Sequence, residues 1–357
     1  MSTLLPRIGI VNGGGDCPGL NTVMDAIVRS LHPEYEIFGF YKSFEGLKDH
    51  HYVKLDPSFT SRYRFMGGTF LKSTTHGVFA GKVGAGGLRL VDDEIIAETK
   101  KSYDDLGLQC LIVLGGDGTM VTACQLQAAG INVIGVPKSI DNDLDGTEVT
   151  FGFQTAVDIA TEALDRLETT AYSHDRVMIL EVMGRDAGWI GLHSGVAGGA
   201  NVILIPEIES DFEKVAHFLR HRDKKNALIV ASEGARIKNM GQIISGSTTS
   251  SEQKLGGVGD ALADYLNQFE EFEARSTTLG HIQRGGKPSG FDRLLSAQFG
   301  YQAAKMVEQK TYGQMVVYNC SSFVSQPIEA CVAKLKTVDP NGYLVSSAKK
   351  MGIHFGD

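Results

Sequence analysis

Short apolar runs alternate along this chain with longer amphipathic ones. "RIGIV", "EIFGFY", "CLIVLGG" and "NVIGV" are too short and too continuously apolar for surface helices and read as buried strands. Helical periodicity follows over Leu20–Leu31, 93–106 and 120–129. Strands separated by helices imply βαβ units and a mostly parallel sheet. The alternation resumes after residue 152. A long helix is expected over 153–169, strands at "RVMILEV", "NVILIP" and "NALIVAS", and helices near Ile190 and Val215. "STTLGHIQ" reads as one more strand and 291–309 as one more helix. A second α/β unit therefore occupies the middle of the chain. No fixed-period repeat is visible, and the polar stretch 238–257 reads as a surface loop. "RHRDKK" reads as a solvated helix end.

The 357 residues have room for two cores. A net charge of −8 gives no electrostatic support to generic nucleic-acid or anionic-membrane binding, so an anionic substrate needs local clusters of Arg and Lys. The five cysteines form no CxxC pair, which disfavours a zinc site or disulfide framework. No apolar run approaches the ~18 residues of a membrane span. The start, "RIGIVNGGG", lacks the charged and apolar regions of a signal peptide, and a cytoplasmic location is expected.

Glycine is abundant, and its 43 residues cluster at the ends of the apolar runs. "GIVNGGGDCPGLN" runs strand, glycine loop, helix start, a turn that presents backbone N–H groups and a helix dipole to an anion. It matches neither the P-loop nor the dinucleotide fingerprint, and a tight structural turn is the alternative. "LIVLGGDGT" puts Asp117 at the carboxyl edge of a strand, with Gly115, Gly116 and Gly118 leaving space around it. A lone carboxylate there suits Mg²⁺, which prefers one or two carboxylates plus phosphate and water; an N-cap for the following helix is the alternative. "VPKSIDNDLDGT" follows the next strand, so Asp141 and Asp143 are expected on that same edge. Two spaced carboxylates can divide proton transfer and metal support, or simply cap a turn. Arg176, Arg185, Arg275, Arg284 and Arg293, with Glu233 and His281, lie near expected strand ends. Their joint placement favours a sugar-phosphate or nucleotide site.

In this order and spacing, "GGDCPGLN", "GGDGT", "PKSIDND", "MGR", "EG" and "LGHIQRGG" resemble the 6-phosphofructokinases, from about Ile8 to beyond Arg293. GGDGT alone also occurs in lipid and NAD kinases; the full set is specific. The resemblance implies two doubly wound three-layer α/β/α domains with mostly parallel sheets and the active site in the cleft between them. Residues 1–152 plus 283–334 would form a large nucleotide-binding domain, and 153–282 plus 335–357 a smaller sugar-phosphate domain. The implied reaction is Mg²⁺-dependent phosphoryl transfer to the 1-hydroxyl of fructose 6-phosphate. Asp141 would be the base, Asp117 the metal ligand, Asp143 a support for metal and loop, and Arg185 the residue stabilising the transferring group. Ser139, where the family usually has Thr, keeps the hydroxyl. Gly14, Gly15, Gly116, Asp117, Gly118, Thr119 and Lys138 match the nucleotide-phosphate site. Ser139, Ile140, Asp141, Met183, Gly184, Arg185, Glu233, His281, Ile282, Gln283 and Arg284 match the sugar-phosphate site. Arg176 and Arg275 match it too, and in the family reach in from a neighbouring subunit, which implies a homotetramer.

Three departures from bacterial ATP-using relatives, at four positions, bear on donor and regulation. Thr75 replaces an arginine near the donor. Lys138 replaces a glycine and is typical of pyrophosphate-using members. Asp25 and Pro57 replace effector-binding arginines, although Arg29, Lys224 and Lys225 match, so bacterial-type ADP activation and phosphoenolpyruvate inhibition are not expected. Gly118 arbitrates the donor. Pyrophosphate-using members typically have Asp there, and its charge at ~4 Å from a nucleotide phosphate would cost about 4 kcal/mol at an effective dielectric of ~20. Gly118 removes that obstacle, whereas Lys138 does not exclude ATP, since added positive charge near its phosphates is tolerable. ATP is the expected donor and pyrophosphate the alternative. A silent regulatory subunit is disfavoured because Asp117, Asp141 and Arg185 are all present.

Overall fold

The computed structural model describes residues 5–74, 76–80, 82–83, 89–247 and 253–357. These divide into two compact units. The first comprises residues 1–139, 144–152 and 284–335; the second comprises 140–143, 153–283 and 336–357.

The first unit is built on a seven-stranded sheet. Its strands are β1 (Arg7–Asn12), β2 (Glu36–Phe40), β3 (Tyr52–Leu55), β6 (Leu108–Gly115), β7 (Val133–Pro137), β16 (Gln314–Asn319) and β17 (Ser322–Pro327). The order across the sheet is β17-β16-β7-β6-β1-β2-β3. β16, β7, β6, β1 and β2 run parallel, while β3 and β17 are antiparallel edges. A short antiparallel pair, β4 (Lys82–Val83) and β5 (Arg89–Leu90), stands apart. The helices are α1 (Leu20–Leu31), α2 (Phe44–Lys48), α3 (Pro57–Thr60), α4 (Asp93–Asp105), α5 (Asp117–Ala128), α10 (Gly290–Glu308) and α11 (Ile328–Val332).

Burial explains why the four early strands announced themselves. β1, β6 and β7 are covered on both faces, so nearly every position is apolar and buried. One core joins Val11, Phe40, Leu111, Val113, Met120 and Met315. α1 packs on α10, and the approach is close: a Cβ on Gly300 would stand 2.5 Å from the Val23 carbonyl oxygen. β16 and β17 were not expected. β17 alternates exposed and half-buried residues at an edge, so its apolar signal is weak.

The second unit carries a four-stranded parallel sheet in the order β15-β8-β10-β9, with β8 (Val177–Val182), β9 (Val202–Leu204), β10 (Ala227–Ser232) and β15 (Ala274–Thr278). Its helices are α6 (Phe153–His174), α7 (Trp189–Ala197), α8 (Phe212–Arg220), α9 (Val258–Leu266) and α12 (Tyr343–Lys350). The apolar faces of α8 and α9 meet β8, β9 and β10 through Ile179, Leu204, Val215, Ile229 and Leu262. Buried Glu181 on β8 accepts hydrogen bonds from the N–H groups of Gly257 and Gly259, fixing the start of α9. A carboxylate at a helix N-terminus satisfies donors the helix itself leaves open.

Two expectations need correction here. "STTLGHIQ" is not one strand: β15 ends at Thr278, and Gly280–Arg284 is a 3₁₀ turn, permitted by a positive φ of 49° at Gly280. The 238–257 stretch is not a plain loop either. It contributes two antiparallel pairings, β11 (Arg236–Ile237) with β12 (Gly241–Gln242), and β13 (Ile244–Ser247) with β14 (Gln253–Leu255). Their shortness and the polar composition around them hid these strands. Residues 248–252 of that stretch lie outside the described residues.

Candidate functional site

In the first unit the chemistry gathers where the sheet changes direction. The chain leaves β1 for β2 on one side and returns to β6 on the other, so β1 and β6 flank a topological switch point. Ligands of open parallel sheets bind in the crevice outside the carboxyl ends at such a point. The glycine loop follows β1, the Gly116–Thr119 segment follows β6, and Lys138 follows β7. Three neighbouring strand ends therefore carry the groups expected to bind phosphate.

The loop is held from below. Gly13 N–H donates to the Leu114 carbonyl at 2.9 Å, and Lys138 N–H to the Gly115 carbonyl at 3.0 Å. Gly14 has φ +74°, and Ser73 Oγ donates to its carbonyl at 2.5 Å. The Thr119 side chain wedges under the loop, so that a Cβ on Gly13 or Gly115 would collide with it at 2.7 and 2.3 Å. Arg284 lies over Gly15, where an added Cβ would stand 2.7 Å from its Nη1. Asp117 is exposed and opens α5, while Gly116, not Asp117, takes the N-cap. A Cβ at Gly118 meets nothing within 4 Å. Lys138 is 4% exposed, and its Nζ donates to the Gly15 carbonyl at 2.5 Å. Its charge is thus held against the glycine loop. Cys17, buried behind that loop, has its thiol pushed up to about 12 by burial, so it stays protonated. Thr75 lies outside the described residues.

The chain passes between units at the Ser139–Ile140 peptide. Ser139 is 8% exposed and its carbonyl accepts from Thr150 Oγ1 at 2.5 Å. In the second unit, Ile140, Asp141 and Asn142 are buried and Asp143 is half-buried. Asn142 has φ +54°, a conformation Asn tolerates better than most residues, and this turns the loop between its two aspartates. Asp145 is not part of this group: it pairs with Lys334 at 3.4 Å in the first unit.

Three adjacent strands of the second unit deliver the remaining groups at their carboxyl ends. After β8, Met183 and Gly184 are buried and Arg185 is exposed, with φ +142° at Gly184 and +50° at Arg185. After β10, Glu233 Oε1 accepts from the Arg185 N–H at 3.3 Å, and Gly234 fits closely enough that a Cβ would overlap the Arg185 carbonyl oxygen. After β15, His281 and Ile282 are exposed, and buried Gln283 accepts the Met183 N–H at 2.8 Å. Gln283 therefore acts as a brace for the arginine turn.

Arg176 and Arg275 stand elsewhere. They sit at the amino ends of β8 and β15, and both pair with Glu273, at 2.7 and 3.0 Å. The Arg176 hydrogen bond holds the Glu273 carboxyl below its usual range. A six-residue strand separates its two ends by roughly 20 Å, so one chain does not bring these arginines to Arg185 and His281. Of the effector-type positions, Asp25 is buried and accepts from Arg29 Nε at 2.9 Å, Arg64 Nε at 2.5 Å and Thr60 Oγ1 at 2.7 Å. An open groove of about 590 Å³ between α1 and α10 includes these arginines and Arg293, but Asp25 already neutralises part of its charge.

Sequence reasoning missed Trp189, Glu207 and Lys336. Trp189 is the only tryptophan of the chain and follows the arginine turn by four residues, a signal that was available. Lys336 lies nearly two hundred residues from the loop it contacts and offered none.

Comparison with known proteins points to a single family. The family model described as Phosphofructokinase matches residues 7–307. A Clostridium perfringens protein named ATP-dependent 6-phosphofructokinase 2 is 43% identical over 362 residues, covering 99% of each chain. One from Chloroflexus aurantiacus, named ATP-dependent 6-phosphofructokinase, is 42% identical over 100% of this chain and 99% of its own. A Streptomyces coelicolor protein named pyrophosphate–fructose 6-phosphate 1-phosphotransferase is also 42% identical, over 98% of this chain and 100% of its own. The structure of Pichia pastoris phosphofructokinase in the T-state superposes with a TM-score of 0.79 at 26% identity, over 93% of this chain and 36% of that one. A pyrophosphate-dependent phosphofructokinase from Marinobacter aquaeolei gives a TM-score of 0.79 at 19% identity, over 98% and 92%, a likeness of fold alone.

Proposed function

The chain belongs to the phosphofructokinase family, and on that premise we propose that it is an ATP-dependent 6-phosphofructokinase, making fructose 1,6-bisphosphate from fructose 6-phosphate in glycolysis. The observation that carries the donor is the open Gly118 position at the switch point, beside a Lys138 whose ammonium is engaged by the Gly15 carbonyl. Nothing negative stands at Gly118 to repel the inner phosphates of a nucleotide. Pyrophosphate is the alternative donor, favoured by Lys138 and by the Streptomyces relative.

In this reading Asp141 accepts the proton of the sugar 1-hydroxyl as that oxygen attacks the γ-phosphorus. The bond from the γ-phosphorus to the bridging oxygen breaks, and ADP leaves. Arg185, exposed at the end of its turn, meets the charge on the transferring group. Thr119 and the loop of Gly14 and Gly15 shape the donor phosphate seat, and the Ser139 hydroxyl donates to the group in flight. Glu233, His281, Ile282 and Arg284 hold the sugar phosphate, while Met183, Gly184 and Gln283 set the shape of that half. Asp143 supports the loop and the metal.

Mg²⁺ fits the donor set. Asp117 is a single exposed carboxylate with open space at the neighbouring Gly118. Among the described residues no group of three or more His, Cys, Asp and Glu side chains could cage an ion. That composition suits an ion held mainly by phosphate oxygens and water. When bound, Mg²⁺ neutralises charge on the donor's phosphates.

Arg176 and Arg275 stand at the wrong strand ends to serve their own chain's site, which supports an oligomer, a homotetramer by family likeness, in which a neighbour supplies them. No helix among the described residues is long and apolar enough to cross a membrane, and a cytoplasmic location suits the proposed reaction. The paired Asp25 supports the absence of bacterial-type effector control.

The test is product formation from fructose 6-phosphate and Mg²⁺ with ATP or with pyrophosphate. Turnover with ATP is expected; turnover with pyrophosphate and none with ATP overturns the donor. Asp141→Asn should abolish turnover, and a near-normal kcat in that variant would remove Asp141 from its role.

A further inference from the structure

We propose that Lys336 is a positioning residue for the phosphoryl transfer: it clamps the aspartate loop to the same anchor that holds the Arg185 turn. This rests on Asp141 being the base. All the groups concerned belong to the second unit.

Lys336 grips the loop at two points. Its N–H donates to the Asp143 carbonyl at 2.8 Å, and its Nζ donates to Asn142 Oδ1 at 2.9 Å. Asn142 lies between Asp141 and Asp143, is 4% exposed and has positive φ. Fixing its side chain and the next carbonyl fixes the turn that aims Asp141. A cation also suits a loop with two carboxylates, whose mutual repulsion would otherwise open it.

The far side of Lys336 is anchored as firmly. Its carbonyl accepts the indole N–H of Trp189 at 2.9 Å, and its Nζ stands 5.6 Å from the centroid of that ring. Trp189 begins α7, four residues after Arg185. Just before it, Gly188 N–H donates to Glu207 Oε1 at 2.9 Å, and the same oxygen accepts the Val338 N–H at 2.8 Å. One half-buried carboxylate and one indole thus tie the start of α7 to residues 336–338. The arginine turn and the aspartate loop share no sequence neighbourhood, yet both attach to this clamp. Their relative geometry depends on it, and misplacement of a catalytic group by an ångström costs rate rather than binding.

The test uses the full-length enzyme with fructose 6-phosphate, ATP and Mg²⁺, and the intrinsic fluorescence of Trp189, the single tryptophan. Lys336→Met keeps the length and packing of a half-buried side chain. Its kcat should fall roughly ten- to a hundredfold, the effect of losing a charge-assisted hydrogen bond. KM for the sugar phosphate should stay within about threefold, because the lost contact acts on the transition state. The Trp189 emission maximum should stay well short of that of the denatured protein, since the backbone carbonyl still accepts the indole, although losing the ammonium beside the ring shifts it slightly. Lys336→Arg should restore part of the rate. An unchanged kcat in Lys336→Met overturns the proposal. So does a loss of kcat with emission red-shifted to that of the denatured protein and no rescue by arginine, which would mean that the segment has merely undocked. Asp141→Asn, measured alongside, separates the two levels. Activity in that variant sinks the base itself, whereas an inactive Asp141→Asn with a fully active Lys336→Met sinks the clamp alone.

Discussion

Gly118→Asp isolates the donor argument in one side chain. A Cβ at Gly118 meets nothing within 4 Å, and the residue lies in the first turn of α5. The substitution therefore creates no clash, and an acid near a helix N-terminus is electrostatically favoured. Its effect should fall on the ligand instead. A carboxylate about 4–5 Å from a nucleotide phosphate, at an effective dielectric of about 20, repels it by about 3–4 kcal/mol. That corresponds to a loss of affinity of a few hundredfold. At physiological ionic strength, with a Debye length of about 8 Å, roughly half of the repulsion survives, leaving a few tens-fold. KM for ATP should therefore rise steeply in low salt and less in high salt, while the melting temperature holds. The measurement is initial rate against ATP concentration at two ionic strengths, with a thermal melt as the folding control. A KM for ATP within about threefold of wild type in low salt would refute the exclusion argument.

Three other outcomes are expected. Gly300→Ala forces a methyl against the Val23 carbonyl and Ala26 Cβ, and should destabilise the first unit by about 1–3 kcal/mol, read as a lowered melting temperature. Burial raises the Glu207 carboxyl above its usual range, only partly offset by the Gly188 and Val338 donors. The folded state then holds that proton more tightly than the unfolded one, so this group's contribution to stability falls as pH rises through its raised value. Glu207→Gln, whose amide oxygen can accept both N–H groups, should gain stability relative to wild type as pH rises from about 4 to about 7, measured by denaturant unfolding. Cys320 alone is exposed; burial pushes Cys17 and Cys110 up to about 12, and Cys124 and Cys331 up to about 11. A thiol reagent near neutral pH should find one fast cysteine, and Cys320→Ser should abolish that phase.

The elements that were legible are those whose environment is uniform. β7, β8 and β10 are buried along their whole length and β1 and β6 at all but one position, so their apolar runs had no competing explanation. α1 was read to its ends because its apolar residues, Leu20, Val23, Met24, Ile27, Val28 and Leu31, repeat at helical spacing. β17 escaped because most of its side chains face solvent, β13 and β14 because they are short and polar, and "LGHIQ" misled because its apolar residues cap a turn. Arg176 and Arg275 were grouped with the other arginines by their nearness to strand ends as well as by likeness; strand direction separates them, because both stand at amino ends.

By itself the sequence determined the chemistry and the family, because glycine loops, a lone carboxylate after a strand and spaced arginines are local patterns. It also determined that Gly118 carries no charge, which favours a nucleotide donor. Only the tertiary structure decided how those groups are held. Lys138 turns its ammonium onto the Gly15 carbonyl, Gln283 braces Met183, and Lys336 grips Asn142. Each contact joins residues about one hundred to two hundred positions apart, and hydrogen bonding at that separation leaves no periodicity to read. It exists only once strand order has set which loop ends become neighbours.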